Sequence, residues 1–152
     1  MSIRNKEHKV FSKDQTATSI KTISGVIKDF DTFDGEKGSR NTIKKIIIEN
    51  FSFNVKSFKV PHLINRIAYS FFRKSKANRS FEYAEILINN GINTPKPIAY
   101  FEFSDFNFLN KSFYISNQLD YDITYRELVN NKDYPNFDII LREFTRFTFD
   151  LH

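Results

Sequence analysis

The stretch FSFNVKSFKV, residues 51–60, alternates apolar and polar side chains, and this alternation decides the fold class. Phe51, Phe53 and Val55 occupy one face of an extended chain, and the polar residues between them occupy the other. A period of two indicates a β-strand with one buried face. Lys56 falls on the polar face of this strand.

The residues before this strand predict two more strands joined by a turn. Residues 23–33 have apolar side chains spaced as in a strand, and DGEKGS, residues 34–39, has the composition of a turn. The extended run at residues 42–49 then leads to the strand above. Three antiparallel strands are predicted, and the polar residues 1–20 are predicted to be loosely ordered.

Two helices and two further strands are predicted to follow. The first helix opens at Pro61, and the second covers about residues 77–90 and ends at Gly91, a residue that tolerates a left-handed helix terminus. Strands are predicted at residues 98–103 and 112–119. The sequence therefore predicts an α+β fold with a five-stranded antiparallel sheet over residues 21–120.

A last segment, residues 121–152, is predicted to be helical. Thr124 and Glu127 have the spacing of a capping box, and an apolar stripe marks a final helix. The stripe consists of Phe137, Ile140, Leu141, Phe144, Phe147 and Leu151. Because it extends to the last residue, we expect the domain to be truncated, and the exposed stripe to promote self-association.

The composition narrows the classes of function. The chain has no cysteine, which removes disulfide frameworks, thiolate metal sites and cysteine nucleophiles, and fits a reducing compartment. The first residues, MSIRNKEHKVFSKDQ, contain no apolar signal-peptide core, so a cytoplasmic location is expected. His8, His62 and His152 lack metal-ligand spacing, and no metal site is expected.

The order of the predicted elements resembles the amino-terminal lobe of a protein kinase. That order is strand, glycine-containing turn, strand, strand with lysine, helix with glutamate, strand and strand. In such a lobe the lysine contacts the α- and β-phosphates of ATP, and the glutamate holds its ammonium in an ion pair. Lys56 is the leading candidate for the lysine, and Lys59 is the second.

A longer stretch carries a more specific resemblance. NVKSFKVPHLINRIAYSFFRKSKANRSFEYAEILINNGINTPKPIAYFE, residues 54–102, resembles the lipopolysaccharide core kinases, the Kdo and heptose kinases, particularly their Bacteroidetes-type members. The likeness continues through SFYISNQLDYDITYREL and the final FTRFTFDLH. It implies transfer of the ATP γ-phosphate to an inner-core sugar hydroxyl at the cytoplasmic face of the inner membrane.

The resemblance also implies roles for individual residues. Lys56 would be the phosphate-binding lysine, and its helical partner would be Glu82, with Glu85 as the alternative. Gly35 and Gly38 would belong to the turn that covers the phosphates, although this turn departs from a full G-x-G-x-x-G pattern. The hinge that meets adenine would consist of Asn117, Gln118 and Leu119.

The same resemblance places the catalytic machinery outside this chain. The catalytic-loop aspartate, the asparagine that follows it and the metal-binding aspartate would lie beyond His152. We therefore expect no catalytic residue and no Mg²⁺ site within residues 1–152, with Mg²⁺ required only in a complete protein. Residues 1–152 alone are predicted to show no kinase turnover, because phosphoryl transfer depends on charge neutralisation and alignment.

A basic belt in the predicted two-helix region suggests an anionic partner. Its members are Arg66, Arg73, Lys74, Lys76 and Arg79, in a chain of net charge +5. The last four are the predicted contacts to a lipid A-core glycolipid or an anionic membrane surface. The alternative function is a non-catalytic module that binds such a glycolipid or a protein. A third reading, nucleic-acid binding, is not expected because no known signature is present.

Overall fold

A computed structural model describes residues 5–37, 41–58, 74–105 and 108–151, which form an α+β fold with four α-helices. The chain divides into two compact units, Met1–Gln118 and Leu119–His152. None of the helices in these described ranges is long and apolar enough to cross a bilayer. The α+β fold class predicted from the sequence is confirmed.

The first unit is built on an antiparallel sheet, which has six strands in the described residues. The strand order is β1-β5-β6-β4-β3-β2, and each neighbouring pair is antiparallel. The strands are β1 (Asn5–Phe11), β2 (Glu36–Lys37), β3 (Asn41–Ile48), β4 (Phe51–Phe58), β5 (Pro97–Asp105) and β6 (Phe108–Asn117).

Two helices cover opposite faces of this sheet. Helix α1 (Ala17–Lys28) packs Ile23 against a core that includes Phe53 and Val55 of β4. Helix α2 (Lys76–Asn89) packs Phe81 and two alanines against Tyr100 and Tyr114, which belong to the other face. Residues 97–101 of β5 and residues 112–116 of β6 are therefore buried on both sides of the sheet.

The prediction of a strand at residues 23–33 is wrong. This segment contains the second half of α1 and a 3₁₀ turn, Phe30–Thr32. The helix begins at its N-cap Thr16, whose hydroxyl accepts a hydrogen bond from the Ser19 backbone N–H at 3.2 Å. The buried side chains of Ile23, Val26, Ile27 and Phe30 recur at helical spacing along one face.

The amino-terminal region also differs from its prediction. Residues 5–11, which were expected to be loosely ordered, form β1 and pair with β5 over the full length of β1. Strand β2 has only two residues and pairs Glu36 with Ile43 and Lys37 with Thr42. Neither strand was predicted.

The predictions for the remaining elements of the first unit are largely confirmed. Strands β3 to β6 lie where expected, and α2 begins one residue before its predicted start. Its N-cap is Ser75, whose hydroxyl accepts from the Asn78 backbone N–H at 3.0 Å. Gly91 follows α2 with φ +74°, the left-handed conformation predicted for it. The helix predicted to open at Pro61 lies outside the described residues.

The second unit contains helices α3 (Tyr125–Asn130) and α4 (Phe137–Asp150). The capping box is confirmed, because the Glu127 N–H donates to the Thr124 hydroxyl and the Thr124 N–H donates to the Glu127 carboxylate. Three members of the predicted stripe, Phe144, Phe147 and Leu151, remain exposed, as does Phe149.

Candidate functional site

The candidate site lies on the face of the sheet that α2 covers. Lys56 of β4 pairs in register with Ile43 of β3 and Tyr114 of β6. Because Phe53 and Val55 face α1, Lys56 projects from the opposite face, on the same side as Tyr114 and α2. The structure thus places Lys56, which is half-buried, on the side of the sheet that carries the two candidate glutamates.

Glu82 is engaged by a different lysine. The Lys74 ammonium donates hydrogen bonds to both Glu82 carboxylate oxygens, at 2.6 and 2.8 Å. Lys74 immediately precedes Ser75, the N-cap of α2, so this bond spans the first two turns of the helix. Within the described residues, Lys56 forms no ion pair with Glu82 or Glu85. The expected pair with Lys56 is therefore not formed in this structure.

Glu85 follows Glu82 by three residues along α2. It lines a shallow cavity of about 350 Å³ together with Ser12, Lys96 and neighbouring residues of the loop after β1. This cavity therefore associates Glu85 with the residues that follow β1.

Polar side chains continue the face of the sheet that carries Lys56. The Asn54 side-chain amide donates to the side-chain oxygen of Gln118, Oε1, at 3.0 Å. The Gln118 backbone N–H donates to the Ser52 backbone carbonyl at 2.9 Å. These bonds attach the end of the first unit to β4. Two buried oxygens, Asn54 Oδ1 and Ser52 Oγ, have no hydrogen-bond partner among the described residues. A buried acceptor that is left unpaired costs free energy.

Two tyrosines form the floor beside Lys56. Burial raises the pKa of Tyr114 to about 12, and burial together with the nearby Glu102 and Glu82 charges raises the pKa of Tyr100. Both hydroxyls therefore stay protonated at neutral pH. The Tyr100 hydroxyl accepts a hydrogen bond from the Asn78 side chain at 3.1 Å. The sequence analysis did not single out these tyrosines, although both lie in strands that it predicted.

Of the two predicted turn glycines, the structure describes Gly35. Gly35 lies before β2, beside β3, where an added Cβ would approach the Ile43 carbonyl oxygen to 2.7 Å and overlap the Lys44 side chain. Close approach to β3 therefore accounts for this glycine, and Gly35 is not at the tip of the turn. Gly38 lies outside the described residues.

The predicted hinge coincides with the boundary between the two units. Asn117 is the last residue of β6, Gln118 ends the first unit, and Leu119 begins the second. The predicted contact of these residues with adenine stays a prediction.

The basic belt is only partly described. Lys74 is exposed but bound to Glu82, Lys76 is half-buried, and the buried Nε of Arg79 has no hydrogen-bond partner in the described ranges. Arg66 and Arg73 lie outside these ranges. Of the four predicted lipid contacts, Lys76 and Arg79 are the two without an ion pair among the described residues.

One buried lysine was missed by the sequence analysis. Lys44 is only 5% exposed, and its ammonium donates to the carbonyl oxygens of Phe30 and Phe33 at 2.7 and 2.5 Å. It also lies 4.4 Å from the centre of the Phe30 ring. Lys44 thus anchors the 3₁₀ turn after α1 to β3, which is a structural role.

No protein-family model, curated protein or solved structure matches this chain. Function is therefore inferred from the side chains and their arrangement.

Proposed function

We propose that this chain is the nucleotide-binding lobe of a protein-kinase-like enzyme that phosphorylates an inner-core sugar of lipopolysaccharide, Kdo or heptose. The observation that supports it is the position of Lys56 on the sheet face covered by α2, the helix that carries Glu82. The likeness of residues 54–102 to the lipopolysaccharide core kinases supports the choice of acceptor. The proposed place of action is the cytoplasmic face of the inner membrane.

In this proposal each group on the Lys56 face contacts a different part of ATP. The Lys56 ammonium binds the α- and β-phosphates, because a cation offsets their charge and donates hydrogen bonds. The base lies beside Asn54 and Gln118, whose side chains are joined by a hydrogen bond. These residues fit the nucleotide, which supplies the phosphoryl group.

Metal ligands are not assigned. Within the described ranges no three aspartate, glutamate or histidine side chains converge on one point. The role proposed for these residues is therefore to bind and orient the nucleotide.

Calorimetric titration with ATP tests the proposal. We expect Lys56→Ala to weaken ATP binding about tenfold or more, the effect of losing a charge-assisted contact. Lys21→Ala is the matched control, because Lys21 is an exposed lysine of α1 on the other side of the sheet. Equal ATP affinity of the Lys56→Ala and Lys21→Ala variants would show that Lys56 does not bind the nucleotide.

A second proposal is that the start of α2 contacts anionic glycolipid. It is supported by the positive charges of Lys76 and Arg79, which have no ion pair among the described residues. Binding to vesicles with anionic headgroups should weaken with added salt and with the double change of Lys76 and Arg79 to glutamate. Equal binding to neutral vesicles would contradict this proposal.

A further inference from the structure

A second cavity lies on the sheet face opposite to Lys56. It has a volume of about 430 Å³ and is lined by residues of the α1 amino terminus, β4 and the turn between β3 and β4. Its floor includes Phe53 and Ile98, which belong to the core beneath α1. Cavities of roughly 300–1,000 Å³ hold small molecules in proteins. The nucleotide proposed above binds on the other face, so this cavity is a separate candidate site.

The turn at the rim of this cavity contains a residue in an unfavourable conformation. Ile48 and Phe51 pair across the hairpin, so Glu49 and Asn50 form a two-residue turn between β3 and β4. Glu49 has φ +54°, a left-handed conformation that glycine and asparagine adopt most readily. Strained residues of this kind are often kept where their side chains have a function. The Glu49 side chain lines the cavity.

An exposed aromatic ring lies next to this carboxylate along the chain. Phe51 is 55% exposed, and its ring stacks on Phe53 with 6.1 Å between centroids and 13° between planes. Both rings line the cavity together with Glu49. An exposed aromatic face beside a carboxylate attracts a cation, through the ring quadrupole and the full negative charge.

The charges around the cavity favour the same kind of ligand. Lys96, which also lines it, forms an ion pair with Asp14, so these two charges offset each other. Glu49 has no ion pair among the described residues. The lining therefore carries one uncompensated negative charge, which disfavours phosphates and carboxylates and favours cations.

We infer that this cavity binds a small organic cation, whose ammonium group lies between the Phe51 ring and the Glu49 carboxylate. The apolar part of the ligand contacts Phe53 and Ile98 on the floor. This inference does not rest on the proposed kinase function, because it assigns no role to Lys56 or Asn54, neither of which lines this cavity.

Titration with choline, followed by protein NMR shifts, tests the inference. Choline should bind saturably, and its neutral carbon isostere, dimethylbutanol, should bind at least about fivefold more weakly, since the cation–π and ionic contacts need the positive charge. Glu49→Gln and Phe51→Leu should each weaken choline binding by about fivefold or more. Asp34→Asn, a change at an exposed carboxylate outside the cavity, should leave choline binding unchanged.

Glu49→Gly separates binding from folding. Glycine relieves the left-handed strain, so this variant should melt a few degrees higher than the wild-type chain while losing choline binding. A formed site should bind choline with a dissociation constant in the millimolar range. Absence of saturable binding up to about 50 mM choline would therefore overturn the inference. Equal binding of the neutral isostere, or wild-type affinity in both Glu49→Gln and Phe51→Leu, would overturn it as well.

Discussion

The carboxylate of Glu82 accepts two hydrogen bonds from Lys74, although Lys56 projects from the sheet face that α2 covers. Lys56 and Glu82 thus lie on the same side of the sheet, and the carboxylate is bound by the lysine that precedes the helix. Both Lys74 and Glu82 are more than one-third exposed, so their ion pair contributes only about 0–1 kcal/mol to stability. Breaking the Lys74–Glu82 ion pair therefore costs little free energy.

The first prediction concerns this competition. Lys74→Met should tighten ATP binding, by about two- to fivefold, because the Glu82 carboxylate is then available to orient the Lys56 ammonium. Lys76→Met is the matched control and should leave ATP affinity within about twofold, since Lys76 has no ion pair with Glu82. Titration calorimetry measures both. Unchanged or weaker ATP binding by Lys74→Met would show that the two lysines do not compete.

The second prediction concerns the buried Lys44. Lys44→Met should lower the free energy of unfolding by about 1–3 kcal/mol, because the carbonyl oxygens of Phe30 and Phe33 lose their donor. Lys21→Met, at an exposed position on α1, should change it by less than about 0.5 kcal/mol. Urea denaturation followed by circular dichroism gives both values. Similar stability of the two variants would mean that Lys44 does not anchor the turn.

The sequence predicted the elements whose side-chain period is unambiguous. Strand β4 was identified from its alternation, which also placed Lys56 on the correct face, because successive side chains of a strand point to opposite sides. Residues 23–33 were assigned the wrong period, although Ile23, Val26, Ile27 and Phe30 have helical spacing. The helical spacing of the apolar residues was present in the sequence, and the error was to interpret it as the two-residue period of a strand.

Other features depend on contacts between distant parts of the chain. Strand β1 is mostly polar, NKEHKVF, and is a strand because its backbone pairs with β5 at the edge of the sheet. The burial of Lys44 depends on two carbonyl groups in the turn after α1.

The third prediction concerns pH. The hydrogen bond from Lys96, followed by that from Ser12, lowers the pKa of Asp14 from 3.8 to about 2. A carboxyl whose pKa is lower in the folded state stabilises the fold above its unfolded pKa, and this stabilisation is lost as the pH falls from 3.8 to about 2. Asp14→Asn should therefore lower the melting temperature at pH 7, and the difference from wild type should shrink towards pH 2.

Thermal denaturation of both proteins at several pH values measures this difference. Lys96→Met should show the same pH dependence as Asp14→Asn, because it removes the partner that lowers the Asp14 pKa. A difference from wild type that stays constant between pH 7 and pH 2 would contradict the assignment of this ion pair as the cause.

The last prediction compares two glycines that have open space around them. Apart from the adjacent residues and the helix's own backbone, no heavy atom lies within 4 Å of a Cβ added at Gly25 or at Gly91. Alanine therefore meets no steric clash at either position. Gly25 lies within α1, where alanine stabilises a helix by about 1 kcal/mol relative to glycine. Gly91 has φ +74°, which costs a residue with a Cβ about 1 kcal/mol. We therefore expect Gly25→Ala to raise, and Gly91→Ala to lower, the free energy of unfolding measured in urea. Changes of the same sign would show that backbone conformation does not decide these two positions.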